Sequence, residues 1–271
     1  MTRTARHAKP QGGSGLVGAV RSEAAKLTWR SPSIAVAIPL AILIPVAVNY
    51  AIAEAAAQNK INGAGGMQTS NAAYWVLVFS TFILMAGAVF STAAEFSNGT
   101  VDLVFVRQPR RWLLPVAKTV VFGAVSALTS AVAVVILMVV FPLLYSDIWG
   151  RVDLFSGEGI RLWIGIPVYM ILMTMLGVGL AALAPKPGLV LMMVLLWRFG
   201  VETFFTFIRG DFGELLQRYS PIRNAELGVG QLSTFTSPFG GPNGSLAYFG
   251  VICVVIFAAG VYRVVSRDVS R

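Results

Sequence analysis

IRLWIGIPVYMILMTMLGVGLAALA at residues 160–184, PKPG at Pro185 to Gly188, then LVLMMVLLWRFGVETFFTFI up to Ile208: this stretch decides how the chain is built. A helix needs about 20 mostly apolar residues to cross the ~30 Å hydrocarbon layer, and each run is that long. Two prolines and a glycine within four residues stop one helix and turn the chain back. The stretch reads as two membrane-crossing helices, 160–184 and 188–208, joined by a tight turn.

Working outward, the same test gives four more spans, at 33–53, 72–94, 114–145 and 246–265, with Pro142 near the end of the third. Composition agrees. Of 271 residues, 56% are hydrophobic and 12% charged, and mean hydropathy is +0.74. Soluble domains carry about 25% charge, and this much apolar side chain does not fit inside one core. Disorder, a collagen-like fibre and a disulfide scaffold are excluded by the same figures, and Cys253 is the single cysteine. The alternating ten-residue segments of a membrane barrel are absent. The expected fold class is an all-α membrane protein with six transmembrane helices, occupying 32–271 as one unit.

Basic residues set the orientation. Fourteen Lys and Arg fall with the two termini and the connections after spans two and four, six fall on the opposite side, and Arg198 lies inside span five. Cytoplasmic loops retain positive charge, so both termini are expected in the cytoplasm. The Ala-, Val- and Arg-rich usage suggests a bacterial plasma membrane. The net charge of +9 is accounted for by these loops, and no nucleic acid partner is expected.

Three regions outside the spans are informative. Residues 1–15 read as a disordered basic tail, not a cleaved signal, because no apolar segment follows at the required distance. Residues 16–31 read as an amphipathic interfacial helix, with Leu16, Val20, Ala24 and Leu27 at helical spacing and Arg21, Glu23, Lys26 and Arg30 opposite; a short solvated helix is the other reading. Residues 209–245 are too polar to span, yet carry Leu215, Leu216 and Tyr219 before Pro221 and Leu227, Val229, Leu232 and Phe235 after it. Two short helices are expected there, capping the bundle or re-entering the outer leaflet.

The missing chemistry matters as much. None of the five lysines follows a glycine, so the Gly-Lys-Ser/Thr phosphate loop does not exist. His7 is the only histidine and lies in the tail, and carboxylates are nearly absent from the spans. No catalytic residue, metal site or bound cofactor is expected, and the chain is not read as an enzyme. One pair does lie at membrane depth. Arg198 and Glu202, four apart, share a helix face and can pair, whereas an unpaired charge at the bilayer centre costs ~3 kcal/mol or more. Two readings follow: a structural staple, or a pair lining a translocation path or locking gating states.

The connection after span two reads EFSNGTVDLVFVRQPRRWLLPVAK, residues 95–118. Asn98-Gly99 makes a turn, Thr100 can cap a short helix, Pro109 stops it, and Arg110, Arg111 and Lys118 hold it at the inner surface. Such a short, stiff element is suited to receive a push from a soluble partner.

Here the residues resemble a family. Glu95-x-x-x-Gly99-Thr100 after the second of six spans, Pro109-x-Arg111 and then Lys118 look like the permease subunits of type-2 ABC exporters. Glu23-Ala-Ala-Lys26-Leu27 before the first span, Glu202 in the fifth and Ser220-Pro221 ahead of the last are similar too. The resemblance covers about residues 15 to 267 and leaves out the basic tail. It implies a half-transporter that pairs with a second permease copy, identical or a paralogue. It further implies two separately encoded ABC ATPase subunits, which would bind the ATP and magnesium. Glu95, Gly99, Thr100, Pro109, Arg111 and Lys118 would couple to those ATPases. Spans two and five would face the dimer axis, with Phe79, Phe82, Met85, Met193 and Trp197 along the substrate route. Aromatic and Met side chains suit an apolar or amphiphilic passenger, and equally suit lipid-facing positions. Two rival functions remain: a stand-alone secondary carrier working through Arg198 and Glu202, and a non-transporting membrane assembly protein.

Overall fold

The computed structural model describes residues 15–58, 66–97, 99 and 110–266. The chain begins with α1 (Leu16–Lys26). Five long helices follow: α2 (Ser33–Ala57), α3 (Thr69–Ser97), α4 (Leu113–Leu144), α5 (Gly157–Leu183) and α6 (Pro187–Phe207). Two short ones, α7 (Asp211–Arg218) and α8 (Pro221–Gly228), lead to the sixth long helix, α9 (Pro242–Ser266). Among the described residues there is no strand. All six long helices are apolar and long enough to cross a membrane, as expected of a multi-pass membrane protein. α1 and the last turn of α9 both pack beside the start of α4, here called the terminal end, and α7 and α8 lie at the far end, beside the start of α9.

Local chemistry explains the boundaries. Ser156 caps α5 by accepting a hydrogen bond from the Gly159 amide at 3.1 Å. Pro185 ends α5, and Pro187 opens α6 at a position where a missing amide costs nothing. α1 stops at Lys26 instead of reaching 31, because Leu27 leaves helical geometry (φ −83°, ψ 77°). Four π-turns interrupt the long helices, at Ser33–Ala37, Val76–Ser80, Ile136–Val140 and Leu196–Val201. Two of them run into a proline, Pro39 or Pro142, whose absent amide loosens the ladder. The expected helix between Thr100 and Pro109 lies outside the described residues, as do residues 1–14 of the basic tail.

α5 is the centre of the bundle and packs on α3, α4 and α9. Its most apolar window is 61% buried, against 17% for α2 and 22% for α6 and α9, so those three leave broad apolar faces open to lipid or another chain. Small residues make the central crossing possible. A Cβ on Gly179 would lie 2.8 Å from the Phe257 Cα, and one on Gly260 would lie 2.6 Å from the Gly179 carbonyl. Backbone cannot step aside as a side-chain tip can. Gly179→Val is therefore expected to destabilise by ~3 kcal/mol, the upper range for overpacking, while Gly188→Val in the uncrowded first turn of α6 changes little. Melting in detergent compares them; equal midpoints would refute this tight α5–α9 contact.

Candidate functional site: two ion networks at opposite ends

At the terminal end, four charges from three elements meet. Ala19 and Val20 of α1 pack on Leu113 and Ala117 of α4, which turns Glu23 and Lys26 toward the bundle. Lys118, 1% exposed, donates to Glu23 Oε2 at 2.9 Å and Ser91 Oγ at 3.0 Å, and lies 3.0 Å from Glu95 Oε1. An ammonium has three donors, and here all three are met. Lys26 at the rim bridges Glu23 and reaches Glu95 Oε1 at 2.7 Å. Burial pulls the Lys26 ammonium down, but hydrogen bonds to Glu23 and Glu95 outweigh it and hold it above the ordinary lysine value. Two positive and two negative charges cancel within one knot that ties α1 to the end of α3 and the start of α4.

Of the six residues nominated for coupling, the structure thus brings Glu95 and Lys118 together. It adds Glu23 and Lys26, 95 and 69 positions away from their partners. Gly99 is exposed, in a left-handed conformation at φ 67°, with no described residue close to where a Cβ would sit. Arg111 approaches the Val265 carbonyl at 3.5 Å, near the end of α9. Thr100 and Pro109 lie outside the described residues.

The second network replaces the direct Arg198–Glu202 pair expected from their spacing. Arg198, 7% exposed, forms a two-pronged bridge to Glu226 of α8, Nε to Oε1 at 2.6 Å and Nη2 to Oε2 at 2.7 Å. Glu202, fully buried, instead accepts from the backbone amides of Ile222 and Arg223 at 2.9 and 3.0 Å and from Trp197 Nε1 at 2.8 Å. Its carboxylate caps the N-terminus of α8. The cause is the π-turn Leu196–Val201. Its i→i+5 register puts Trp197, five residues back, beside Glu202 and turns Arg198 away. Burial raises the Glu226 carboxyl above its usual value, and Arg198 opposes that shift. No protein-family model matches the chain, and no curated protein is significantly similar to it.

Glu226 was missed in the sequence because pairing rules reach only one turn. The available signal was its place in the apolar half of the 209–245 segment, where a carboxylate needs a cation. Asn224 completes this end: its amide donates to the Arg218 and Ser220 carbonyls at 2.8 and 2.9 Å, while its Oδ1 accepts from Ser245 of α9 at 2.9 Å. α8 is thereby bonded to both α6 and α9.

The nominated route residues separate. Phe82 meets Phe199 of α6 at 5.4 Å between ring centroids, and Phe79 stacks on Trp75 at 5.7 Å. Met85 is 1% exposed and faces α5, where a Cβ on Gly177 would come within 2.7 Å of its Cγ; it packs the core. Met193 and Trp197 line an apolar cavity of about 260 Å³ between α5, α6 and α9, roofed by Pro221 and Ile222.

Proposed function

We propose that this chain is the membrane-spanning subunit of an ATP-driven exporter of the type-2 ABC kind. It works as a dimer in a bacterial plasma membrane, with both termini in the cytoplasm, and is moved by separately encoded ATPase subunits that hold the ATP and magnesium. The observation that carries this reading is the terminal-end knot. Glu23, Lys26, Glu95 and Lys118 all belong to the stretches that resemble the family, and they converge on one contact that is buried at Lys118 and Glu23 and open at its Lys26 rim.

The mechanics follow from burial. An ATPase docked on α1 and on the connection around Gly99 pushes a joint that cannot slide, because sliding would strand the Lys118 ammonium in a dry site. The displacement passes into α3 and α4. α5, packed on both, carries it to α9 and α8. ATP's higher affinity for the closed ATPase pair supplies the free energy, and no group of this chain reacts. α1 rests on the inner membrane surface, and α7 and α8 re-enter the outer leaflet. The apolar cavity beside Met193 and Trp197 suits an apolar or amphiphilic passenger. The carrier alternative needs Arg198 and Glu202 to exchange a partner, and each is committed to a different one. A non-transporting assembly protein would give the knot no load to transmit.

Extraction in mild detergent tests the reading: a stoichiometric ATPase co-purifies, whereas transport retained without one would favour the carrier. Lys26→Met and Arg111→Ala are expected to insert normally and to lower stimulation of the partner ATPase roughly 5-fold or more, the scale of a modest coupling free energy. Wild-type stimulation in both variants would count against the assignment.

A further inference from the structure

At the far end, a cavity of about 210 Å³ lies between α3, α6 and the segment containing α8, with Asn71, Tyr74, Arg198, Arg223, Glu226 and Gln231 on its walls. Most of its polar groups are engaged. Arg198 is locked to Glu226, the Gln231 amide donates to the Ser70 carbonyl at 2.8 Å, and the neighbouring Glu202 is occupied by Trp197 and two backbone amides. Arg223 differs. Its Nε is buried without a hydrogen-bond partner, and among the described residues no carboxylate lies within 4.0 Å of its guanidinium. The Tyr74 hydroxyl and the Asn71 side chain make no hydrogen bond to described residues either, and they face the same space.

A guanidinium offers five donors and accepts nothing, so a buried, unmet donor calls for an acceptor. The walls hold two guanidinium groups against one carboxylate. Burial first, and the like charge of Arg198 next, push Arg223 below the ordinary arginine value, with Glu226, Glu202 and Tyr74 pulling the other way. An anion in the cavity would relieve both effects. Free donors come from α3 and α8, on different sides. A tetrahedral oxyanion, with oxygens pointing several ways, meets that arrangement better than a flat carboxylate.

We infer that this cavity binds a phosphoryl oxyanion, gripped by Arg223 with Tyr74 and Asn71. The group can arrive as free phosphate or as the headgroup of an anionic phospholipid. The site needs no ATPase partner and stands apart from the transport reading.

The test uses the purified full chain in a phosphate-free, non-ionic detergent at constant ionic strength. One arm titrates inorganic phosphate against chloride; the other adds phosphatidylglycerol to the micelles. A saturable rise in melting midpoint is expected in at least one arm. A response to inorganic phosphate identifies the free ion, and a response to phosphatidylglycerol alone identifies the headgroup. Arg223→Gln is expected to weaken binding ~10-fold, as for loss of one charge-assisted contact. Tyr74→Phe, which removes only a hydroxyl, is expected to weaken it several-fold. The inference is overturned if neither arm saturates, if chloride matches phosphate, or if both variants bind like wild type.

Discussion

Lys118→Met releases α1 from the bundle. The ammonium is 1% exposed and stands between two carboxylates, so its removal leaves Glu23 and Glu95 facing each other with only the rim charge of Lys26. Breaking a buried ionic cluster by taking away one member costs ~3–5 kcal/mol, a midpoint drop of roughly 10 °C in a chain of this size. The loss is local at first. Protease should cut between Lys26 and Ser33 before the rest of the molecule unfolds. Adding Glu95→Gln to the variant should recover part of the midpoint, because it removes a stranded charge. Wild-type melting and wild-type protease resistance in Lys118→Met would refute the knot.

Arg198→Leu has a comparable effect at the opposite end, where it leaves Glu226, 13% exposed, without its cation. The informative comparison is between two double variants. Arg198→Leu/Glu226→Leu replaces both partners by apolar groups and should return close to wild-type stability, since such exchanges are often neutral. Arg198→Leu/Glu202→Leu should be worse than either single change, because it also strips a cap from three donors; each buried unmet donor adds about 1–3 kcal/mol. Recovery in the second double variant would mean that Arg198 and Glu202 pair after all.

These two ends also mark where sequence reasoning succeeds and stops. The spans were legible because an apolar run long enough to cross hydrocarbon can do little else; 160–184 became Gly157–Leu183 and 72–94 became Thr69–Ser97. The Pro185–Gly188 turn and the helices flanking Pro221 were legible for the equally local reason that proline cannot continue a ladder. The partners of charges were not. Glu23 finds Lys118 across 95 residues, and no periodicity reports such a distance. Arg198 and Glu202 failed for a subtler reason: the i,i+4 rule assumes an α-helix, and a π-turn hidden inside an ordinary apolar stretch shifts the register by one.

The knot at the terminal end has a practical corollary for handling the protein. Dissolved ions weaken attraction between charges that water can reach, and act far less on pairs sealed from it. With Lys118 and Glu23 both almost wholly enclosed, a high-salt wash should leave α1 in place. A preparation in which that helix has come loose has lost packing around Leu113 and Ala117, and changing the buffer will not restore it.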